Sequence, residues 1–367
     1  MADRLYVATR KGLFTVDRSN GGWQVTRTAF LGDLVTIVMP SGERVYASLG
    51  HGHFGVKLHR SADSGATWEE CAAPAYPPKP EGLDDRDGSG KPVEWRVEMV
   101  WALAAADPAK PEALWCGTLP GGLFRSEDGG SSWELNRPLW DDPGRGKWFG
   151  GGADIPGIHS VCVDPRDSDR VFAGVSCGGV WLTEDGGATW ACRAEGMRAE
   201  YMPPDRQFDP GIQDPHCVAQ CPGEPEKLWA QHHNGIFRST DGAKSWQEIE
   251  DVPPSVFGFP VAVHPQDGDT AWFVPAIKDE HRIPVEGKVV VSRTRDGGKS
   301  FEVLRNGLPQ EHAYDLVFRH ALDIDGSGDR LAFGSTTGSL WVTEDQGDHW
   351  QCVSTHLPPV YCVRFAD

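Results

Sequence analysis

The sequence contains no apolar run of about 18 residues or more, which excludes a helix that crosses a bilayer. Its first residues enter an alternating, strand-like pattern directly, without the apolar stretch of a secretory signal. Basic side chains are scarce, since 35 Lys and Arg face 53 Asp and Glu and leave a net charge of −18. This charge argues against nucleic acid or an anionic membrane as a partner, because both bind cationic surfaces.

A disulfide framework is missing as well. The nine cysteines are odd in number and irregularly spaced in a long chain, whereas disulfide-rich secreted domains are short and pair their cysteines. Together these absences predict a soluble protein of a reducing compartment, and we expect it to be cytoplasmic.

Turn residues and tryptophan are abundant instead. The 367 residues include 44 Gly, 28 Pro and 15 Trp, a composition that favours short strands over helices. Six segments share the pattern Ser/Thr-x-Asp-x-Gly-x-Ser/Thr-Trp and recur at intervals of roughly 50 to 65 residues. They span 61–68, 126–133, 183–190, 239–246, 294–301 and 343–350. Three copies depart at one position each, with Ala243, Phe301 and His349.

Each copy has the composition of a self-capped hairpin turn. The carboxylate accepts hydrogen bonds from turn amides, glycine tolerates a positive φ, and the hydroxyl residues bind nearby backbone. The terminal aromatic ring then anchors the turn in apolar packing. We therefore expect a structural role for the six aspartates, which are Asp63, Asp128, Asp185, Asp241, Asp296 and Asp345.

This pattern resembles the Asp-box (BNR) repeat of sialidase-like and sortilin-like β-propellers and covers nearly the whole chain. The resemblance implies a β-propeller whose boxes lie on peripheral turns, away from the ligand site. It does not extend to sialidase chemistry, because the sequence has no FRIP-like segment and no counterpart of the arginine triad or the Tyr–Glu nucleophile pair.

Strand-like segments around the repeats predict the blade count. A four-strand unit, A to D, surrounds each of the six boxes, and a B-C-D set without a box opens the chain. The chain ends in an orphan A-like strand, so residues 360–366 are expected to join residues 4–29 and close the ring. The prediction is an all-β fold with a single domain over 1–367, a seven-bladed propeller with Asp-box turns.

One face of such a propeller carries the D-to-A and B-to-C connections, and ligands usually bind there near the axis. Nine of the 13 histidines fall on this first face: His51, His53, His159, His216, His232, His233, His281, His312 and His356. The starts of the A strands are expected to form a collar around the channel mouth. Its predicted members are His159, His216, Phe259, Tyr314 and Tyr361, with Trp101 and Gly32-Asp33 placed less securely.

Imidazoles and carboxylates on one face favour acid–base or metal chemistry. The candidate catalytic residues are His159, His216, Glu98 and Asp154. The candidate substrate-binding residues are His51, His53, Trp101, His232, His233, Arg282, Tyr314, Asp315 and Tyr361. The cofactor is unknown, with a divalent transition metal as the candidate; its candidate ligands are His51, His53, His159, His216 and His232. Further first-face carboxylates, from which no reacting pair can be chosen, are Asp33, Asp214, Glu280 and Asp315.

Three first-face insertions, 74–96, 137–158 and 198–215, are long enough to cover such a site. The leading hypothesis is an intracellular enzyme, a glycosidase-like hydrolase or a lyase, that acts on a small polar or carbohydrate-like ligand at the channel mouth. The alternative is a non-catalytic binding or assembly scaffold of the Asp-box type. In either case we expect a monomer or weak homo-oligomer.

Overall fold

The fold consists almost entirely of short strands. A computed structural model describes residues 1–151 and 153–366. In chain order its strands are β1 Arg4–Thr9, β2 Gly12–Ser19, β3 Gly22–Ala29, β4 Leu34–Ser41, β5 Arg44–Gly50, β6 Val56–Ser61, β7 Glu69–Cys71, β8 Met99–Ala105, β9 Leu114–Leu119, β10 Leu123–Ser126, β11 Glu134–Leu135, β12 Ile158–Asp164, β13 Asp167–Val175, β14 Gly179–Thr183, β15 Ala191–Cys192, β16 Pro215–Gln220, β17 Leu228–His232, β18 Ile236–Ser239, β19 Gln247–Ile249, β20 Gly258–Val263, β21 Ala271–Pro275, β22 Val291–Thr294, β23 Glu302–Leu304, β24 Leu322–Ile324, β25 Leu331–Gly334, β26 Leu340–Thr343, β27 Trp350–Ser354 and β28 Val360–Phe365.

Helical structure in this described part is limited to short pieces in connections. They are α1 Arg137–Trp140 and the 3-10 turns Gly52–Phe54, Pro143–Lys147, Pro210–Ile212 and Val285–Gly287. None of these helices is long and apolar enough to span a membrane.

The strands form seven four-stranded antiparallel sheets, which confirms the predicted seven-bladed propeller. Six blades are consecutive runs of four strands, from β4–β7 to β24–β27, and the first has the order β28-β1-β2-β3. The innermost strands contact one another around a complete circle, β28, β4, β8, β12, β16, β20, β24 and back to β28. The predicted closure by the C-terminal strand is therefore confirmed. The last strand, β28, pairs with the first strand, β1, in one sheet.

The apolar core lies between neighbouring blades. The second strand of a blade can be buried on both faces, as in β9, where all six residues are buried. Large rings fill the wedges between sheets: Trp229 of the fifth blade packs with Val261 and Phe273 of the sixth, and Trp272 packs with Leu331 of the seventh. Each blade therefore depends on its neighbours for burial.

The six repeated turns share one hydrogen-bond pattern. In the fourth copy, Asp241 Oδ1 accepts from Ser239 Oγ at 2.8 Å and from the Ser245 backbone N–H at 3.0 Å, and Oδ2 accepts from Ser245 Oγ at 2.6 Å. Ala243 replaces the usual glycine and still adopts a left-handed φ of 63°. The closing Trp246 donates its indole N–H to Arg193 O of the preceding blade at 2.8 Å. The turn thus holds its own hairpin and ties two blades together.

Replacing Asp241 by alanine should lower the free energy of unfolding by about 1–2 kcal/mol, because three local donors lose a charged acceptor. Urea unfolding followed by tryptophan fluorescence measures the loss. Asp251→Ala, an exposed acid in the next connection, is the control and should change stability by less than about 0.5 kcal/mol. Equal effects of the two substitutions would contradict a structural role for the repeated aspartate.

Candidate functional site

A collar of bulged residues rings the first-face end of the channel. In six blades the pairing between the innermost strand and the next strand is interrupted by a bulge. The residues left unpaired there are Thr36, Trp101, His159, His216 and Tyr361, and Phe259 together with Pro260. A β-bulge turns the side chain of the extra residue away from the regular alternation. In the seventh blade the corresponding position is His320. The residue after it, Ala321, accepts a hydrogen bond from the Gly334 N–H, just as Ser160, the residue after His159, pairs with Gly174.

Two collar positions differ from the sequence prediction. Tyr314 was placed at the start of the seventh A strand, but that strand begins at Leu322 and Tyr314 is 58% exposed. In the second blade the bulge falls at Thr36, not at Gly32-Asp33. Neither predicted segment begins a strand: the Asp33 N–H closes a turn on the Phe30 carbonyl oxygen, and residues 313–316 form backbone hydrogen bonds with other loops.

Arg319 lies across the inside of the collar. Its guanidinium carbon is 4.5 Å from the Trp101 ring centroid and 5.6 Å from that of Phe259. Its Nε donates to the His216 carbonyl oxygen at 2.6 Å. A cavity of about 340 Å³ continues along the inner strands and is lined among others by His159, Arg319, His320 and Arg364. The collar therefore holds the Arg319 guanidinium against two aromatic rings at the first-face end of this cavity.

Beside the collar, Asp214, His216 and His233 form a compact cluster. Asp214 Oδ2 lies 3.6 Å from His216 Nε2 and 3.6 Å from His233 Nδ1. One donor atom from each residue lies within 4.8 Å of the other two. Asp214 immediately precedes β16, His216 is the second residue of that strand, and His233 follows β17, so the fifth blade brings the three together. These residues are the candidates for holding a metal ion.

The cluster is held in place from two sides. Asp214 Oδ1 accepts from the Cys177 backbone N–H at 3.0 Å and from Ser176 Oγ at 3.2 Å, both in the fourth blade. His216 Nδ1 lies 2.7 Å from the Gly258 carbonyl oxygen, which can only accept, so Nδ1 carries the proton. His216 Nε2 is therefore the ring nitrogen that faces the Asp214 carboxylate.

Burial and charge act in opposite directions on these groups. Burial raises the pKa of Asp214, but the hydrogen bond and charge of His216 and the neighbouring imidazoles outweigh it and hold that pKa below its usual value. Burial lowers the pKa of His233, with partial compensation from Asp214. Near neutral pH the cluster consequently contains an ionised carboxylate beside a neutral His233 imidazole.

Aromatic rings wall the cluster. The Tyr201 ring centroid is 5.1 Å from that of His233 in an edge-to-face contact, and the Phe259 ring stacks on His216 at 4.6 Å. Phe257 contacts both imidazoles, at 5.7 Å from His216 and 6.1 Å from His233. The Arg282 guanidinium lies 5.3 Å from the Phe259 ring at the outer rim. Aromatic walls around few polar groups are typical of small-molecule sites.

His159 and His232 are close to the cluster but differently engaged. His159 is 1% exposed; its Nδ1 lies 2.9 Å from Ser160 Oγ, and its Nε2 has no hydrogen-bond partner in the described part of the chain. The backbone N–H groups of Asp214 and Asn234 point at the two ring nitrogens of His232. Burial lowers the pKa of His232 to about 3. Neither histidine belongs to the three-residue cluster.

Several predicted site residues lie elsewhere. His51 and exposed His53 belong to the second blade, where His51 Nδ1 lies 3.6 Å from Asp33 Oδ1 beside a separate groove. Glu98 and Asp154 are exposed, and Asp154 contributes a backbone carbonyl to Lys91 Nζ. None of these four residues belongs to the compact cluster found among the described residues.

Two other candidates, Asp315 and Tyr361, make structural contacts. Asp315 accepts from Ser335 Oγ at 2.6 Å and from Thr337 Oγ1. Tyr361 stacks on Phe318 at 5.5 Å.

The three insertions are folded and joined to one another. Arg145 pairs with the buried Asp85 at 2.7 Å and stacks over the Trp140 ring at 4.1 Å, which joins 74–96 to 137–158. Lys147 pairs with Asp209 at 3.3 Å and so reaches 198–215. Residue 152 of the second insertion lies outside the described residues. The third insertion supplies Tyr201 and Asp214 to the site.

Sequence reasoning missed four residues of this site, namely Arg319, His320, Tyr201 and Phe257. A usable signal existed for His320, because His159 and His320 each stand five positions before a buried aspartate, Asp164 and Asp325. Tyr201 and Phe257 lie in irregular connections without a repeating pattern, so no sequence signal marks them.

No protein-family model matches the chain. An oligoxyloglucan-reducing end-specific xyloglucanase of Emericella nidulans is 24% identical over 269 residues, which are 67% of this chain and 31% of that protein. Xyloglucanase Xgh74A of Acetivibrio thermocellus is 27% identical over 184 residues, 41% of this chain and 20% of that protein. The chain thus matches less than a third of the length of these curated relatives.

Solved structures show the same fold. An ancestral GH74 enzyme superposes with a TM-score of 0.58 at 16% identity and covers 86% of this chain and 38% of its own. YCF48 bound to D1 peptide superposes with a TM-score of 0.54 at 14% identity, over 87% of this chain and 80% of its own. The chain is therefore a seven-bladed β-propeller, similar in fold to GH74 enzymes and to YCF48.

Proposed function

We propose that this protein is a carbohydrate-acting hydrolase whose reacting centre is the Asp214–His216–His233 cluster on the first face. The main support is the buried Asp214 carboxylate, which has an imidazole nitrogen of His216 and one of His233 each 3.6 Å away, beside a rim of aromatic rings. The curated relatives are xyloglucanases, which supports a polysaccharide or oligosaccharide as substrate. A lyase reaction finds no support among these relatives.

The exposure of each side chain suggests its role. The side chains of Asp214 and His216 are only 3% and 4% exposed, while that of His233 is 26% exposed and meets the solvent side. His233, neutral near pH 7, accepts a proton from the attacking water, and Asp214 orients and stabilises the imidazolium that forms. Tyr201 offers an apolar ring face to a sugar, and Arg282 and Arg319 offer donors to its oxygens.

Further properties follow as part of the same proposal. We infer that the repeated turns are Asp boxes (BNR repeats), supported by their shared hydrogen bonds. All nine cysteines are free thiols, which supports a reducing, cytoplasmic location. Closure of the ring on itself supports a monomer or weak homo-oligomer.

Purified full-length protein should release reducing ends from xyloglucan oligosaccharides or a related β-glucan. His233→Ala and His216→Gln should each lower kcat at least about 100-fold, because a positioned acid or base contributes about that much or more. His349→Ala is the matched control, since His349 also pairs with an aspartate, Asp345, but on a repeated turn of the opposite face. It should retain full activity. Equal activity of the wild type and both cluster variants would contradict the assignment.

A binding scaffold is the second candidate, favoured by exposed apolar side chains on the same face. Ile277 and Ile283, each 38% exposed, are joined by a backbone hydrogen bond, and Tyr314 is 58% exposed. The YCF48 structure that shares the fold holds a peptide. Failure of every glycan tested to be cleaved, with the fold intact by circular dichroism, would favour this second function.

A further inference from the structure

We infer that Asp214, His216 and His233 form a binding site for one divalent transition-metal ion, of the zinc, iron or cobalt class. The inference rests on the proposed function only for what the ion would do there: with His233 Nδ1 bound to the ion, the ion, in place of the free imidazole, would polarise the attacking water. Binding itself is argued from the ligand atoms, so the two proposals can fail separately.

The spacing of the three donor atoms suits such an ion. Asp214 Oδ2 lies 3.6 Å from each of the two imidazole nitrogens, and all three atoms fall within 4.8 Å of one another. Bonds of about 2.0–2.2 Å in a tetrahedral site place neighbouring ligands roughly 3.3–3.6 Å apart. Two histidines and one carboxylate on one side leave positions open for water or substrate.

The orientation of the donor atoms in the cluster suits a cation. His216 Nδ1 faces the Gly258 carbonyl oxygen at 2.7 Å, so Nε2 is the ring nitrogen that faces Asp214 Oδ2, at 3.6 Å. Asp214 Oδ1 is already occupied by the Cys177 N–H and the Ser176 hydroxyl, which leaves Oδ2 for the cluster. The carboxylate oxygen and the ring nitrogen are 3.6 Å apart, too far for a direct hydrogen bond, and in a site only 3–4% exposed a bound cation would bridge them.

The surroundings resemble the supporting groups of a metal centre. A ligating histidine usually donates its second ring nitrogen to a carbonyl or carboxylate, as His216 does to Gly258. The neighbouring rings of Tyr201, Phe257 and Phe259 keep the local dielectric low and strengthen the attraction between the carboxylate and a cation. Imidazole donors favour transition metals over Mg²⁺ and Ca²⁺, which prefer oxygen ligands.

The test titrates EDTA-treated full-length protein with Zn²⁺ by calorimetry and with Co²⁺ by visible absorption. We expect one equivalent of each ion to bind, Co²⁺ to show d–d bands of low coordination, and Mg²⁺ not to compete. His233→Ala should weaken binding at least about 100-fold, since loss of a ligand exceeds the 10–100-fold cost of losing a supporting group. Asp214→Asn should weaken it comparably. His349→Ala, which removes a histidine from another His–Asp pair, should bind like the wild type.

If Asp214→Asn fails to fold by circular dichroism, His233→Ala alone decides, because its ring is partly exposed. The inference is overturned if no ion binds at one equivalent. It is also overturned if His233→Ala binds normally, or if His51→Ala loses the ion instead. Metal binding without glycan cleavage upholds the site and rejects the hydrolase, whereas glycan cleavage by a protein that binds no ion in these titrations upholds the hydrolase and rejects the site.

Discussion

Val363→Asp should destabilise the whole ring by about 4 kcal/mol or more. Val363 is fully buried in β28, the strand that closes the first blade, and pairs with Val7 of β1. A carboxylate there has no partner and either remains charged in an apolar layer or takes up a proton at high cost. Since β28 also contacts β4 and β24, the loss reaches three blades at once.

Urea unfolding at neutral pH measures this effect, with intrinsic fluorescence and circular dichroism as independent probes. Val25→Asp is the control, because it makes the same substitution in the outer strand β3 of the same blade, where Val25 is 41% exposed. That variant should stay within about 0.5 kcal/mol of the wild type. A native-like midpoint for Val363→Asp would mean that the closing strand is dispensable.

Acidification below pH 6.5 should destabilise the protein through His320. This histidine is 7% exposed, and burial, with a smaller contribution from the charge of Arg364, lowers its pKa to about 3. The unfolded chain binds a proton near pH 6.5 and the folded chain does not, so stability falls as the pH drops from 6.5 toward 3. The slope for one such group is about 1.4 kcal/mol per pH unit.

His320→Gln separates this contribution from other titrations. Glutamine can still donate to the His159 carbonyl oxygen, which His320 Nε2 contacts at 2.7 Å, but it carries no proton that titrates. Urea midpoints between pH 7 and pH 5 should therefore fall less steeply in this variant. His356→Gln, at an exposed position, should follow the wild-type slope. Parallel curves for all three proteins would contradict a neutral, buried His320.

Local patterns were sufficient to predict the architecture. Every hydrogen bond of the Asp241 carboxylate reaches residues 239 to 245, so the turn is encoded by neighbours in the chain. Six such turns, an unpaired first B-C-D set and an unpaired last strand were enough to predict seven blades and their closure. The described strands that pair within a blade are likewise consecutive in the chain, with β28 and β1 as the exception.

The register of the inner strands was predicted only in part. His159, His216, Phe259 and Trp101 were placed correctly because a regular strand follows each of them. Tyr314 was wrong, because residues 313–316 pair with other loops: Ala313 N–H donates to Gly287 O, and Thr336 N–H donates to Leu316 O. A long connection can mimic the apolar pattern of a strand while its backbone bonds elsewhere.

The repeated turn, the number of blades and the closing strand could be predicted because each depends on spacing along the chain. Which imidazoles meet depends on the folded arrangement of the blades. Asp214, His216 and His233 share a blade, but Cys177, Gly258 and Arg319 reach them from the fourth, sixth and seventh blades. His51 and His53 carry the same chemistry and remain in the second blade. Contacts across blades depend on bulges and side-chain packing, and no periodicity along the chain encodes them.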